Sequence, residues 1–301
     1  MHSFTILFVT MLALSLVIRF WLSHRQISHI TAHRARVPEA FEGKINLDEH
    51  QKAADYTVTK TRFGRLPMFY DAGLLLLWTL GGGLEWLDQI AIAYGLSPIM
   101  TGIAVILAFM LVSSILELPF SIYSTFVIEE RFGFNRTTIV TFIGDIAKQT
   151  LLMLLFGVPL AWAALWLMQE AGVLWWLWAW GVWIAFTLLL TWAFPVLIAP
   201  LFNKFTPLES GELRQRIEGL LARCGFSSKG IFVMDGSRRS GHGNAYFTGF
   251  GRNKRIVFFD TLIESLEPAE VEAVLAHELG HFKLKHIQKR LLTTAAMSLA
   301  G

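Results

Sequence analysis

Two runs, LLMLLFGVPLAWAALWLM from Leu151 to Met168 and VLWWLWAWGVWIAFTLLLTWAF from Val173 to Phe194, contain no Lys, Arg, Asp or Glu. As helices rising about 1.5 Å per residue, each approaches or exceeds the roughly 30 Å of a bilayer's hydrocarbon core. The whole chain leans the same way. Apolar residues make up 54% and charged residues 16%, with 11 Trp and 24 Phe among 301 residues, against about 45–50% and about 25% in a soluble chain. Lipid is the expected solvent for the first two-thirds of the sequence.

Working towards the N-terminus, three more apolar runs are expected to span: Phe4 to Leu22, Met68 to Leu87 and Ile99 to Leu118. The first reads as a retained span and not a signal peptide, because its positive charges follow it and no small-residue cleavage site does. The stretch from His24 to Leu66 carries eight Lys or Arg, and the three basic segments follow spans one, three and five. The positive-inside rule puts all three in the cytoplasm and the N-terminus outside. The formal charge of +3 is dispersed beside the apolar runs, which argues against a nucleic-acid partner. Cys224 is the only cysteine, so no intrachain disulfide is expected, and it reads as a small buried hydrophobe. Asp71, Glu85, Asp88, Glu117, Asp145 and Lys148 fall within or at the ends of spans, either at headgroup depth or facing a hydrated interior. Trp175, Trp176, Trp178, Trp180 and Trp183 read as interfacial and lipid-facing.

Beyond Pro195 the chain is expected to lie in the cytoplasm and to change character. Leu213, Ile217, Leu220, Leu221 and Cys224 form one stripe of an amphipathic helix ending at Gly225. Gly230 to Met234, Asn244 to Phe250 and Arg255 to Asp260 read as short strands, with a polar loop, Asp235 to Gly243, between the first two. A final helix starts at Pro268 and is expected to continue through His286. The fold class is therefore mainly α, a multi-span integral membrane protein with a small α+β domain. The expected division is a membrane part at 1–200, a peptidase part at 201–290 and the start of a sixth span at 291–301.

The last helix contains H-E-L-G-H, His277 to His281. Histidines four apart project from one helix face and can share a zinc ion, one per chain, while Glu278 serves as the base that deprotonates the attacking water. The metal ligands are thus His277 and His281, with Glu278 catalytic. A third ligand is missing nearby. On a continuous helix His286 lies about half a turn away from His277. Leu284 and Ile287 occupy the positions where an extended motif has Gly and His. A Glu beyond Gly301 is the simplest third ligand.

Several separated segments resemble the type I CAAX prenyl endopeptidases: E-E-R-F-G-F-N-R from Glu129, N-A-Y-F-T-G-F-G from Asn244, K-R-I-V-F-F-D-T-L from Lys254, and A-H-E-L-G-H from Ala276. The resemblance implies a barrel of seven spans around a hydrated chamber, a gluzincin-like zinc domain, and a third ligand Glu well downstream. It also implies that Asn244, Ala245, Tyr246, Phe247 and Gly249 hold an extended peptide by strand pairing. The substrate would be a peptide or protein, C-terminal and lipidated, presented from the bilayer. The membrane would be a bacterial inner membrane or one of endoplasmic-reticulum type, with the zinc site on the cytoplasmic side. Arg238, Arg239 and His242 could meet a substrate carboxylate, although a solvated loop is the simpler reading. Two alternatives stay open: a membrane quality-control zinc protease and a catalytically silent membrane scaffold.

Overall fold

The computed structural model describes residues 2–226, 230–248 and 255–300. It divides into two compact units, Met1–Asn135 and Arg136–Gly301.

The first unit is helical. Helices α1 (Ser3–His33), α2 (Leu47–Phe63), α3 (Arg65–Thr79), α4 (Gly83–Ala93) and α5 (Pro98–Tyr123) follow in order. The stretch read as span two, Met68 to Leu87, is not one helix: α3 stops at Thr79 and α4 restarts at Gly83. Gly82 sits at φ 80°, and a Cβ on Gly81 would stand 2.7 Å from the Leu77 carbonyl. Hydropathy records transfer free energy and is blind to this backbone break. Helix α2 begins with a reciprocal cap between Asn46 and Glu49. Its polar face is tied down by Asp55, which accepts both a Nε and a Nη2 bond from Arg34 at 2.7 Å. Glu129 accepts from Tyr56 at 2.7 Å and from Lys60 at 2.8 Å, so the acidic start of E-E-R-F-G-F-N-R is engaged within this unit. Gly133, at φ 79°, lets the chain turn so that the Phe134 amide reaches the Glu129 carbonyl at 2.8 Å.

In the second unit, Thr138 caps α6 (Ile139–Glu170), which packs against α7 (Trp175–Ala193). Pro195 lacks the amide that an α-helical ladder needs, and a wider π-type turn, Phe194–Ile198, carries the helix past it into α8 (Ala199–Phe202). Strands β1 (Phe205–Pro207), β2 (Gly230–Met234), β3 (Ala245–Thr248) and β4 (Arg255–Phe259) form one sheet in the order β1-β2-β4-β3. Strands β2 and β4 run parallel, and the outer pairings are antiparallel. Helices α9 (Glu212–Arg223) and α11 (Pro268–Lys283) share a core with the sheet, α10 (Asp260–Ser265) connects β4 to α11, and α12 (His286–Ala300) packs on α7.

The expected stripe on α9 is found for Ile217, Leu220 and Leu221, which are buried against Ile256, Phe258, Val271 and Leu275. Cys224 departs from it and is exposed. It lies past the last helical residue, where Gly225, at φ 63°, turns the chain. The Phe226 amide then bonds the Leu221 carbonyl at 2.9 Å and the Gly225 amide bonds Ala222 at 3.1 Å, the Schellman arrangement that ends a helix.

Among the described residues, four helical segments have membrane length and composition: Ser3–His33, Pro98–Glu129, Ile139–Glu170 and Gly172–Phe202. Of the tryptophans on α7, Trp175, Trp176, Trp178, Trp183 and Trp192 are exposed, as a lipid-facing reading requires. Trp180 instead donates to the Ala295 carbonyl at 3.3 Å and the Ser298 hydroxyl at 3.2 Å, fastening α12.

Candidate metal centre and substrate edge

Helix α11 is held by its apolar side. Val271, Leu275 and Leu279, four residues apart, are 0%, 1% and 4% exposed and enter the core. Glu272 adds ion pairs to α9, receiving Arg223 at 2.7 Å and Arg216 at 3.5 Å. At about 100° per residue, His277 and His281 fall roughly opposite Leu275 and Leu279, and both are exposed while Glu278 is half-buried. The burial of one stripe thus fixes the direction of the other.

The two imidazoles turn their Nε2 atoms together at 3.2 Å, with ring planes at 90°. Ligand atoms of His277, Glu278 and His281 all lie within 4.8 Å of one another. Two imidazole ligands of one tetrahedral ion, at metal–nitrogen distances near 2.0–2.1 Å, stand about 3.3 Å apart. The pair therefore fits a shared metal ion, with a carboxylate beside it. Among the described residues, no other group of three such donors converges.

The continuous helix expected from Pro268 through His286 is interrupted. Helix α11 ends at Lys283, and Lys285 adopts φ 55° before α12 starts at His286. His286 therefore does not face away: its Nδ1 lies 2.7 Å from Nδ1 of His281. Neither glycine nor proline marks this elbow in the sequence, so composition carries no sign of it.

Strand β3 is an edge of the sheet and packs beside α11. The Phe259 amide bonds the Asn244 carbonyl at 2.9 Å. With Tyr246 opposite Val257 and Thr248 opposite Arg255, the alternation of an antiparallel ladder turns the amide and carbonyl of Ala245 and Phe247 outwards. Consistent with this, the Ala245 amide finds Asn244 Oδ1 at 2.8 Å instead of β4. The Ala245 and Phe247 side chains pack on the core. Tyr246 takes the other face, its hydroxyl 3.9 Å from the Met234 sulfur, and burial pushes its phenol above the ordinary range. Gly249 lies outside the described residues.

Arg238 and His242, in the loop before β3, are exposed as the solvated reading has it, but Arg239 is not free to receive a carboxylate. Its guanidinium donates to both Asp145 oxygens, at 2.6 and 2.8 Å, and to Asn203 Oδ1 at 2.7 Å. The Arg239 carbonyl in turn accepts from the Arg136 amide and the Thr137 hydroxyl. Lys148 stands 3.7 Å from Asp145, so the span charges of α6 are paired through a residue 94 positions away. Asp260 secures the other end of the loop, accepting from the Ser237 hydroxyl and amide and from the Thr261 amide. Burial pushes its carboxyl up, but those bonds outweigh it and hold the group below the usual carboxylate range.

Removing Arg239 takes away the hydrogen bonds that hold Asp145 and leaves it the more distant charges of Lys148 and Arg238. Arg239→Ala is expected to destabilise the second unit by about 2–3 kcal/mol, less than the roughly 3–5 kcal/mol of a fully buried pair because both side chains keep some exposure. A thermal melt in detergent checks this.

Comparison with known proteins agrees with this arrangement. The profile described as CAAX prenyl protease N-terminal, five membrane helices, matches residues 26–204, and that of peptidase family M48 matches residues 207–301. The CAAX prenyl protease 1 homolog of Arabidopsis thaliana is 38% identical over 286 residues, spanning 92% of this chain and 68% of its own. CAAX prenyl protease 1 of Saccharomyces cerevisiae is 35% identical over 280 residues, spanning 89% of this chain and 61% of its own. The crystal structure of S. mikatae Ste24p matches with a TM-score of 0.90 at 31% identity, over 99% of this chain and 71% of that one. The chain thus spans about two thirds of the length of these relatives. Membrane-length helices, a paired-histidine helix and a small mixed sheet, in this order and at this identity, make the chain a member of peptidase family M48, among the multi-pass membrane metallopeptidases of the CAAX prenyl protease group.

Proposed function

We propose that the chain is a zinc-dependent endopeptidase that removes a C-terminal peptide from a lipidated protein at the cytoplasmic side of an endoplasmic-reticulum type or bacterial inner membrane. The observation that carries the reading is the convergence of the His277 and His281 Nε2 atoms at 3.2 Å with the Glu278 carboxylate beside them. His277 and His281 hold the ion, and a third donor, by resemblance a Glu beyond Gly301, completes the set. When bound, the ion supplies Lewis-acid polarisation of the scissile carbonyl and makes water acidic enough to ionise near neutral pH.

The chain's own residues do the rest. Glu278 takes the proton of the attacking water and returns it to the departing amine, which cannot leave as an anion. The outward amide and carbonyl groups of Ala245 and Phe247 pair with an extended substrate, and Asn244, Tyr246 and, by resemblance, Gly249 also contribute to binding it. Asn244 Oδ1 occupies the Ala245 amide, so a substrate carbonyl pairing there must displace it. The functional division follows the sequence reading, with membrane residues at 1–200 and peptidase residues at 201–290.

A farnesylated peptide with a free C-terminal tripeptide tests the proposal. Tripeptide release is expected to stop on chelation, to return with added zinc, and to be at least about tenfold slower for the unprenylated peptide, since a buried prenyl chain contributes apolar binding energy. Cleavage of an unmodified membrane-protein loop at the prenylated peptide's rate would favour a quality-control protease. Failure to bind zinc would leave the scaffold reading.

A further inference from the structure

Lys285 is the one non-glycine residue with a positive φ among those described. Left-handed backbone is disfavoured for a side chain of that kind and persists where the surroundings impose it. Its effect is local and specific: the chain leaves α11 at Lys283 and turns sharply, placing the ring of the first residue of α12, His286, 5.0 Å from that of His281. The Nδ1 atoms meet at 2.7 Å, a full hydrogen bond between two imidazoles.

That contact falls on the nitrogen of His281 that the metal-site reading leaves unused. An imidazole that offers its Nε2 lone pair to a cation must carry its proton on Nδ1, and that proton needs an acceptor. Nδ1 of His286 is the atom within reach. For His286 to accept there, its own proton must sit on Nε2, and no other proton placement on the neutral pair both keeps this hydrogen bond and leaves His281 Nε2 free to ligate. An outer acceptor of this kind fixes both the tautomer and the ring rotation of a metal-bound histidine.

We propose that His286, delivered by the left-handed turn at Lys285, is a positioning residue that accepts the Nδ1 proton of His281 and so aims its Nε2 at the metal shared with His277. The proposal rests on the metal-site reading above, and its test separates the two. Detergent-solubilised parent, His286→Ala and His286→Asn are titrated with Zn²⁺ against a chromophoric chelator, and with Co²⁺ while its visible ligand-field bands are recorded. An asparagine carbonyl can take the place of the His286 Nδ1 as acceptor, whereas alanine offers nothing.

The expected result is a 10- to 100-fold loss of metal affinity in His286→Ala, with shifted Co²⁺ bands, and affinity within about threefold of the parent in His286→Asn. Should His286→Ala misfold by circular dichroism, the asparagine variant alone decides. The proposal is overturned if folded His286→Ala binds as tightly as the parent, or if a folded His286→Asn loses as much as 10-fold. A parent that binds no metal overturns the metal-site reading itself, and this inference with it.

Discussion

Glu278→Gln is expected to lower turnover of a cleavable peptide by about 10²–10⁴-fold, the usual contribution of a positioned acid–base group, while metal affinity stays within about twofold. The side chains are nearly isosteric, so helix, core and imidazole pair are left as they are. What disappears is the capacity to take a proton. Glu278 is half-buried, one residue from His277 and three from His281, with its oxygen in the same small cluster as their ring nitrogens. Because the carboxylate acts on the reacting water and not on the bound peptide, the loss should fall on kcat and leave KM nearly unchanged. Steady-state kinetics on the farnesylated peptide, with metal content measured on the same samples, check both halves. Activity within threefold of the parent would remove Glu278 from the chemistry.

The second large effect concerns the other side of the same helix. Leu275→Ala should destabilise the second unit by about 3–4 kcal/mol, within the range for a fully buried leucine that leaves a cavity. For a unit of this size that corresponds to a fall of about 6–16 °C in the melting temperature. Leu275 is 1% exposed and packs with Ile217, Phe258 and Val271, so the hole opens between α9, α11 and the sheet. A neighbouring exposed position on the same helix gives the comparison: Ala276→Ser should change stability by less than about 0.5 kcal/mol. Differential scanning fluorimetry on the three proteins decides it, and equal melting temperatures for all three would mean that this stripe does not hold the helix.

How much of this was legible in the sequence differs from feature to feature for physical reasons. The histidine pair, the α9 stripe and the strand at Gly230–Met234 were readable because each is a local periodicity, and local spacing fixes which side chains share a face. The glycine break between Thr79 and Gly83 was visible as letters, yet an apolar count treats Gly81, Gly82 and Gly83 as harmless to a span. The exposure of Cys224 depended on the helix ending at Arg223, one residue before the end of the stripe. The bond between Arg239 and Asp145 joins residues 94 apart and has no periodic trace. The elbow at Lys285 was hidden for a different reason: lysine there advertises helix, and only the tertiary setting overrides it.

The fold also sets where this molecule can be divided. The two matched family segments meet between residues 204 and 207, an inviting place to cut for a water-soluble catalytic fragment. A fragment beginning at residue 207 would lose Phe205 and Thr206 of β1 (Phe205–Pro207), exposing the flank of β2 while β3 is already an open edge. A four-residue strand on one side and a bare five-residue strand on the other would offer unpaired backbone to neighbouring copies, the usual route to aggregation. Arg239 would meanwhile lose both Asp145 and Asn203. An expression boundary at Arg136 keeps sheet, helices and ion pair together, so the smallest workable piece of this peptidase still needs detergent.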